Sequence, residues 1–157
     1  MPNKKYFSHA EMNQMYLRIL QQMAQDNYQP DVIVAPMRGG ADMGVKFSNW
    51  FNKPVIAVQW QTRDGDVQDR EYLHQALTPW HDEPDQSNRK ILVVDDILDT
   101  GETLTGLVEA IAEKCSGIQV AVAIENLEAD FSAHWSGWEI NREETTDWFV
   151  FPWEEFI

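Results

Sequence analysis

ILVVDDILDTGET, residues 91–103, joins an unbroken apolar run to three carboxylates and a Gly/Thr turn. Ile91, Leu92, Val93 and Val94 do not alternate with polar residues, and three of the four are β-branched. That pattern predicts a strand buried on both faces, as in a parallel sheet. Asp95 and Asp96 then fall at the strand's carboxyl end, where open α/β sheets bind ligands. Asp99 follows, and Thr100-Gly101-Glu102-Thr103 opens a helix whose N-terminus is a natural anion site. Adjacent acids beside such a site suit a ligand carrying both hydroxyls and phosphate.

Three other patterns share these letters. RKILVVDD is also how a response-regulator receiver domain begins, but such a domain needs about 110 further residues, and 62 follow Asp95. A P-loop is excluded, because no G-x-x-x-x-G-K-[ST] occurs. Asp99 with Glu102 three residues on also fits a helix-capping box. A cap alone gives no reason for Asp95 and Asp96.

The segment resembles the 5-phosphoribosyl-1-diphosphate (PRPP) motif of the type I phosphoribosyltransferases. There, two acids follow a hydrophobic strand and precede a D-T-G-x-T turn. The resemblance implies that Asp95 and Asp96 bind the ribose hydroxyls, with Mg²⁺ nearby. It implies that Asp99, Thr100, Gly101, Glu102 and Thr103 wrap the 5′-phosphate, and that Asp99 is the catalytic acid or base at the purine. Pressed between other acids, Asp99 would hold its proton more tightly than usual.

Composition bounds the alternatives. With 157 residues, 43% of them hydrophobic, and seven tryptophans, the chain is expected to form one folded domain with a proper core. A net charge of −14 argues against nucleic acid as a partner. It also means that a polyanionic substrate needs a divalent cation and local positive charge. The single Cys115 excludes an intrachain disulfide and fits a reducing compartment. The N-terminal MPNKKYFSHAE has no apolar leader core, and no apolar run approaches 18 residues. The expectation is a cytoplasmic protein without a membrane span.

Outward from the motif, the chain alternates strands and helices. Ser8-His9-Ala10-Glu11 is a capping box ahead of a helix reaching about Asp26. Strands are expected at 31–36, 54–60, 90–95, 117–125 and 147–151, with helices at 41–51 and 102–114. The alternation implies an α/β fold with a Rossmann-like parallel sheet flanked by helices. The resemblance adds a core at about 1–125, a mobile loop at about 61–88 and a small C-terminal hood at about 126–157. Arg38-Gly39-Gly40, between a buried strand and a helix, can point N–H groups and a guanidinium at an anion. In the resembling family this is the pyrophosphate loop, often with a non-proline cis peptide. Arg63 and Arg70, in the long polar stretch, are candidates to reach pyrophosphate on closure.

The tail DWFVFPWE, residues 147–154, is similar to the hood end of xanthine-guanine and hypoxanthine type enzymes. By that correspondence Trp148 stacks on the base and Phe149 offers backbone groups to its edge. Those enzymes usually carry a lysine for the purine 6-oxo group, yet AIENLE at 123–128 has none. Glu125 or Asn126 would stand there instead, with Asn126 or backbone groups reading the 6-position and guanine favoured over hypoxanthine. The whole resemblance implies a Mg²⁺-dependent purine salvage enzyme acting on PRPP, and a homo-oligomer, dimer or tetramer. A PRPP-binding regulator without turnover, or a transferase for another base, are the alternatives.

Overall fold

The computed structural model describes residues 3–62, 67–84 and 88–155. Arg63 therefore lies outside the described residues. Five strands form one parallel sheet in the order β3-β2-β4-β5-β6: β2 (Val32–Met37), β3 (Val55–Gln59), β4 (Ile91–Leu98), β5 (Ile118–Asn126) and β6 (Trp135–Ile140). Helices flank both faces. α1 (His9–Gln25) and α2 (Ala41–Phe51) share one core with Ile33, Ala35, Leu92, Val94, Ala121 and Ala123. α3 (Arg70–Ala76) and α4 (Glu102–Ala112) share the other with Val32, Val34, Ile91, Val93, Val120 and Val122. The period-2 geometry of a strand sends alternate residues to opposite faces. That is why the central strands are apolar at consecutive positions.

α1 starts as its sequence dictates. The Ser8 hydroxyl accepts from the Glu11 N–H at 3.0 Å and the Glu11 carboxylate from the Ser8 N–H at 2.9 Å. Met12, Met15, Tyr16, Ile19 and Met23 then form its buried stripe. A second, two-stranded sheet pairs β1 (Lys4–Tyr6) in parallel with β7 (Trp148–Val150). The C-terminal aromatic segment is therefore held by the start of the chain.

Several expectations need correction. Within the stretch expected as a loop, the described residues 67–84 contain α3 and a 3₁₀ turn at Thr78–Trp80, anchored by the buried Leu73 and Leu77. β6 was not anticipated at all. It lies at the sheet edge under α1, where a Cβ on Gly137 would come within 2.6 Å of Met15 Cβ. β4 runs past the expected end at Asp95 to Leu98, so Asp96 too is a strand residue. The Asp99–Glu102 capping box does not form. Gly101, with φ of +89°, precedes the first residue of α4, and no side chain caps the helix.

Candidate active site

The carboxyl ends of β2 and β4, the start of α4 and the C-terminal aromatic segment enclose a cavity of about 490 Å³. β4 delivers Asp95 and Asp96 on consecutive residues. The Asp95 carboxylate accepts from the Asp96 N–H at 2.9 Å, and the Asp96 carboxylate from the Ile97 N–H at 2.7 Å. Asp95 is buried and Asp96 half-buried. Burial raises Asp95 well above the usual carboxylate range, and the charge of Asp96 adds to the effect. Burial also pushes Asp96 up to about 6; hydrogen bonding from Asp95 and from the Ile97 N–H opposes the rise, and the Glu154 charge reinforces it. An acid pair held this way attracts anything that brings positive charge to it.

The turn after β2 faces the same acids. Met37–Arg38 is a cis peptide. A Cβ on Gly39 would lie 2.7 Å and 2.8 Å from the two carboxylate oxygens of Asp96 and 2.9 Å from one of Asp95. Glycine is the residue that lets this turn approach so closely. Arg38 is exposed and lines the cavity, and Gly40 packs beneath against the β4 backbone, where a Cβ would meet the Val94 carbonyl oxygen at 2.7 Å.

Thr100, Gly101, Glu102 and Thr103 line the cavity at the start of α4. The Thr100 hydroxyl accepts from the Glu102 N–H at 3.3 Å, and the Thr103 hydroxyl lies 2.6 Å from that of Thr62. A helix start presents N–H groups without intrahelical partners at the positive end of the helix dipole. Trp148 and Phe149 both line the cavity; Trp148 is 48% exposed, and Phe149 is buried with its ring against Phe7. Trp153 stacks on Phe151 at 5.3 Å, and Glu154 completes the rim.

Other expected residues stand elsewhere. Asp99 is not wedged among acids: both its oxygens receive N–H groups from Arg142, at 3.0 Å and 3.2 Å. Glu125 accepts from the Ala133 N–H. Asn126 is committed to the Asp99 carbonyl and to the N–H groups of Glu128 and Arg142. Neither Glu125 nor Asn126 lines the cavity, so Asn126 is not placed to read a base. Arg70 pairs with Glu113 at 3.1 Å and lies over the Trp60 ring, away from the cavity lining. Arg142, Glu154 and Gln61 line the cavity but were not singled out from the sequence. Arg142 carried no local spacing signal; Glu154 was visible only as the acid of P-W-E.

The donor set suits a hard divalent cation such as Mg²⁺. It offers two adjacent carboxylates, and Mg²⁺ is commonly held by one or two carboxylates plus water and substrate oxygens. Among the described residues no three His, Cys, Asp or Glu side chains converge into an all-protein metal cage. No described helix is long and apolar enough to cross a membrane.

Known structures share this fold. The purine phosphoribosyltransferase of Pyrococcus horikoshii Ot3 is 23% identical, with a TM-score of 0.69 over 98% of this chain and 96% of that one. The xanthine-guanine-hypoxanthine phosphoribosyltransferase of Helicobacter pylori is 18% identical, also with a TM-score of 0.69, over 97% and 94%. A hypothetical protein of Neisseria gonorrhoeae with bound ppGpp is 17% identical, with a TM-score of 0.72 over 99% and 92%. No curated protein matches the sequence. The family model for the phosphoribosyl transferase domain matches residues 3–155, and the chain belongs to that family.

Proposed function

We propose that this protein transfers 5-phosphoribose from Mg²⁺–PRPP to a ring nitrogen of a purine base, releasing pyrophosphate, in purine salvage. The observation that carries this reading is the meeting of Asp95 and Asp96 with the Gly39 turn on one side and the α4 N-terminus on the other. Carboxylates accept hydrogen bonds from vicinal hydroxyls. The helix start receives the 5′-phosphate. Arg38 and the N–H groups of Gly39 and Gly40 hold the leaving pyrophosphate and stabilise the charge that grows on it as the C1′–O bond breaks.

The cavity is lined by the acids Asp95, Asp96, Asp99, Glu102 and Glu154 against the arginines Arg38 and Arg142. Left alone, this balance repels a polyanion. Mg²⁺ held by Asp95 and Asp96 would supply charge neutralisation for the diphosphate. Trp148 presents an indole face on which a flat heterocycle can stack. Asp99 accepts the proton displaced from the purine imidazole ring; its oxygens keep lone pairs beyond the two used by Arg142.

A second reading is ligand binding without turnover. It is favoured by the bound ppGpp in the Neisseria gonorrhoeae structure. A panel of guanine, hypoxanthine, xanthine, adenine, orotate and uracil with Mg²⁺–PRPP separates the two. Nucleotide formation and pyrophosphate release with a purine support transfer. Tight PRPP or purine nucleotide binding with no pyrophosphate release from any base supports the second reading.

A further inference from the structure

Among the described residues Arg142 is the one cation of the cavity that no motif announces, and its contacts are of an unusual kind. It sits in the turn between β6 and β7. Its Nε donates to one Asp99 carboxylate oxygen at 3.0 Å, and one Nη2 N–H donates to the other at 3.2 Å. Nη1 donates to the carbonyls of Thr145 at 3.2 Å and Asp147 at 2.7 Å. The guanidinium carbon lies 4.6 Å from the centre of the Phe149 ring. A guanidinium has five N–H groups in a rigid fork. Four are used: two reach across to Asp99, and two hold carbonyls of the turn that carries Arg142.

Asn126, at the end of β5, repeats the connection through the backbone. Its amide donates to the Asp99 carbonyl at 2.8 Å, and its side-chain oxygen accepts from the Arg142 N–H at 3.2 Å. The loop that carries Asp99 and the turn that leads into Trp148 are thus clasped twice. Asp147, whose carbonyl Arg142 holds, immediately precedes Trp148. An exposed ion pair is worth little, but here both side chains are about three-quarters buried, 22% and 23% exposed, and the acid borders the cavity.

We propose that Arg142 is a positioning residue for phosphoribosyl transfer: it fixes the Asp99 carboxylate relative to the Trp148 indole, and so sets the base against the sugar carbon it attacks. The inference rests on the transferase reading and on Asp99 meeting the base. A lysine cannot reproduce the fork, because it supplies a point charge rather than two parallel N–H groups.

The test compares the unmodified protein with Arg142→Lys, Arg142→Ala, Asp99→Asn and the Arg142→Ala/Asp99→Asn pair, in steady state with the best base of the panel. For Arg142→Ala the expected result is a kcat loss of about 100-fold, the scale of a misplacement near 1 Å, with a raised KM for the base and an unchanged KM for PRPP. Arg142→Lys should recover part of the kcat. The double variant should be no slower than Asp99→Asn alone, because the arginine acts through that carboxylate. If Arg142→Ala does not fold, the same kcat-against-KM split in Arg142→Lys decides. Unchanged kinetics, an equal loss of PRPP affinity, or multiplying losses in the double variant would overturn the inference while leaving the transferase reading intact. Absence of nucleotide formation by the unmodified protein would overturn both.

Discussion

Replacing Asp96 by asparagine should stabilise the unliganded protein while destroying its activity. The carboxyl is pushed from the ordinary range up to about 6, mainly by burial. The unfolded chain releases this proton near pH 3.9; the folded chain keeps it until about pH 6. Between those values the folded state binds more protons, so stability falls as pH rises, and the full loss is present above the upper value. The interval corresponds to about 3 kcal/mol. Asparagine keeps the oxygen that accepts from the Ile97 N–H at 2.7 Å and removes the charge, which also relieves Asp95. For a domain of this size each kcal/mol moves Tm by about 2–4 °C. Asp96→Asn should therefore melt about 6–12 °C higher at pH 7.5, and the gap should close toward pH 4. Thermal unfolding followed by circular dichroism at half-unit pH steps reads this directly. Excess Mg²⁺ should raise the Tm of the unmodified protein more than that of the variant, as a ligand specific to the native state does. Equal Tm values at pH 7.5, or a gap that widens toward pH 4, would refute the burial argument.

Other expectations concern the walls of the cavity. Arg38→Ala should weaken pyrophosphate and PRPP binding by about 1.5–3 kcal/mol, the scale of a hydrogen bond to a charged group, and leave nucleotide monophosphate binding nearly unchanged by calorimetry. Gly39→Ala should fold, because the obstructing atoms are side-chain oxygens. Displacing those oxygens should still lower kcat/KM for PRPP by about 100-fold. Trp148→Ala should cost about 1–3 kcal/mol of base affinity, read as a raised base KM with PRPP affinity retained; an unchanged base KM would remove Trp148 from the subsite.

What could be read from the sequence was what is local. Residues 91–112 carry their strand, turn and helix within one continuous run, so the acids and the helix start could be located from spacing alone. Arg38-Gly39-Gly40 was legible as a turn, but only the fold shows that Gly39 meets Asp95 and Asp96. α3 escaped because it is seven residues long with one buried side chain, Leu73, too short to display a period. β6 escaped because WSGWEI places a glycine and two large indoles in an edge strand, where Gly137 answers to the α1 helix rather than to a strand pattern. Asp99 was misjudged because its neighbours in sequence are acids, whereas its neighbour in space is Arg142, 43 residues away. Asn126 had looked available, yet its side-chain oxygen and one amide N–H are engaged by backbone groups of three other residues.

The pairing of β1 with β7 brings opposite ends of the sequence together, with Lys4 in register with Trp148. The Asn3 carbonyl receives the Trp148 N–H, and the Val150 carbonyl receives that of Phe7. During synthesis, β2 to β5 and the acid pair can collapse while the C-terminal segment is still in the ribosomal tunnel. The indole wall forms only when β7 pairs with β1. A chain that ends after β6 should therefore keep the acid pair of β4 but lack the aromatic wall. A change in β1 therefore reaches the aromatic wall only through β7, because no described residue before Pro36 lines the cavity.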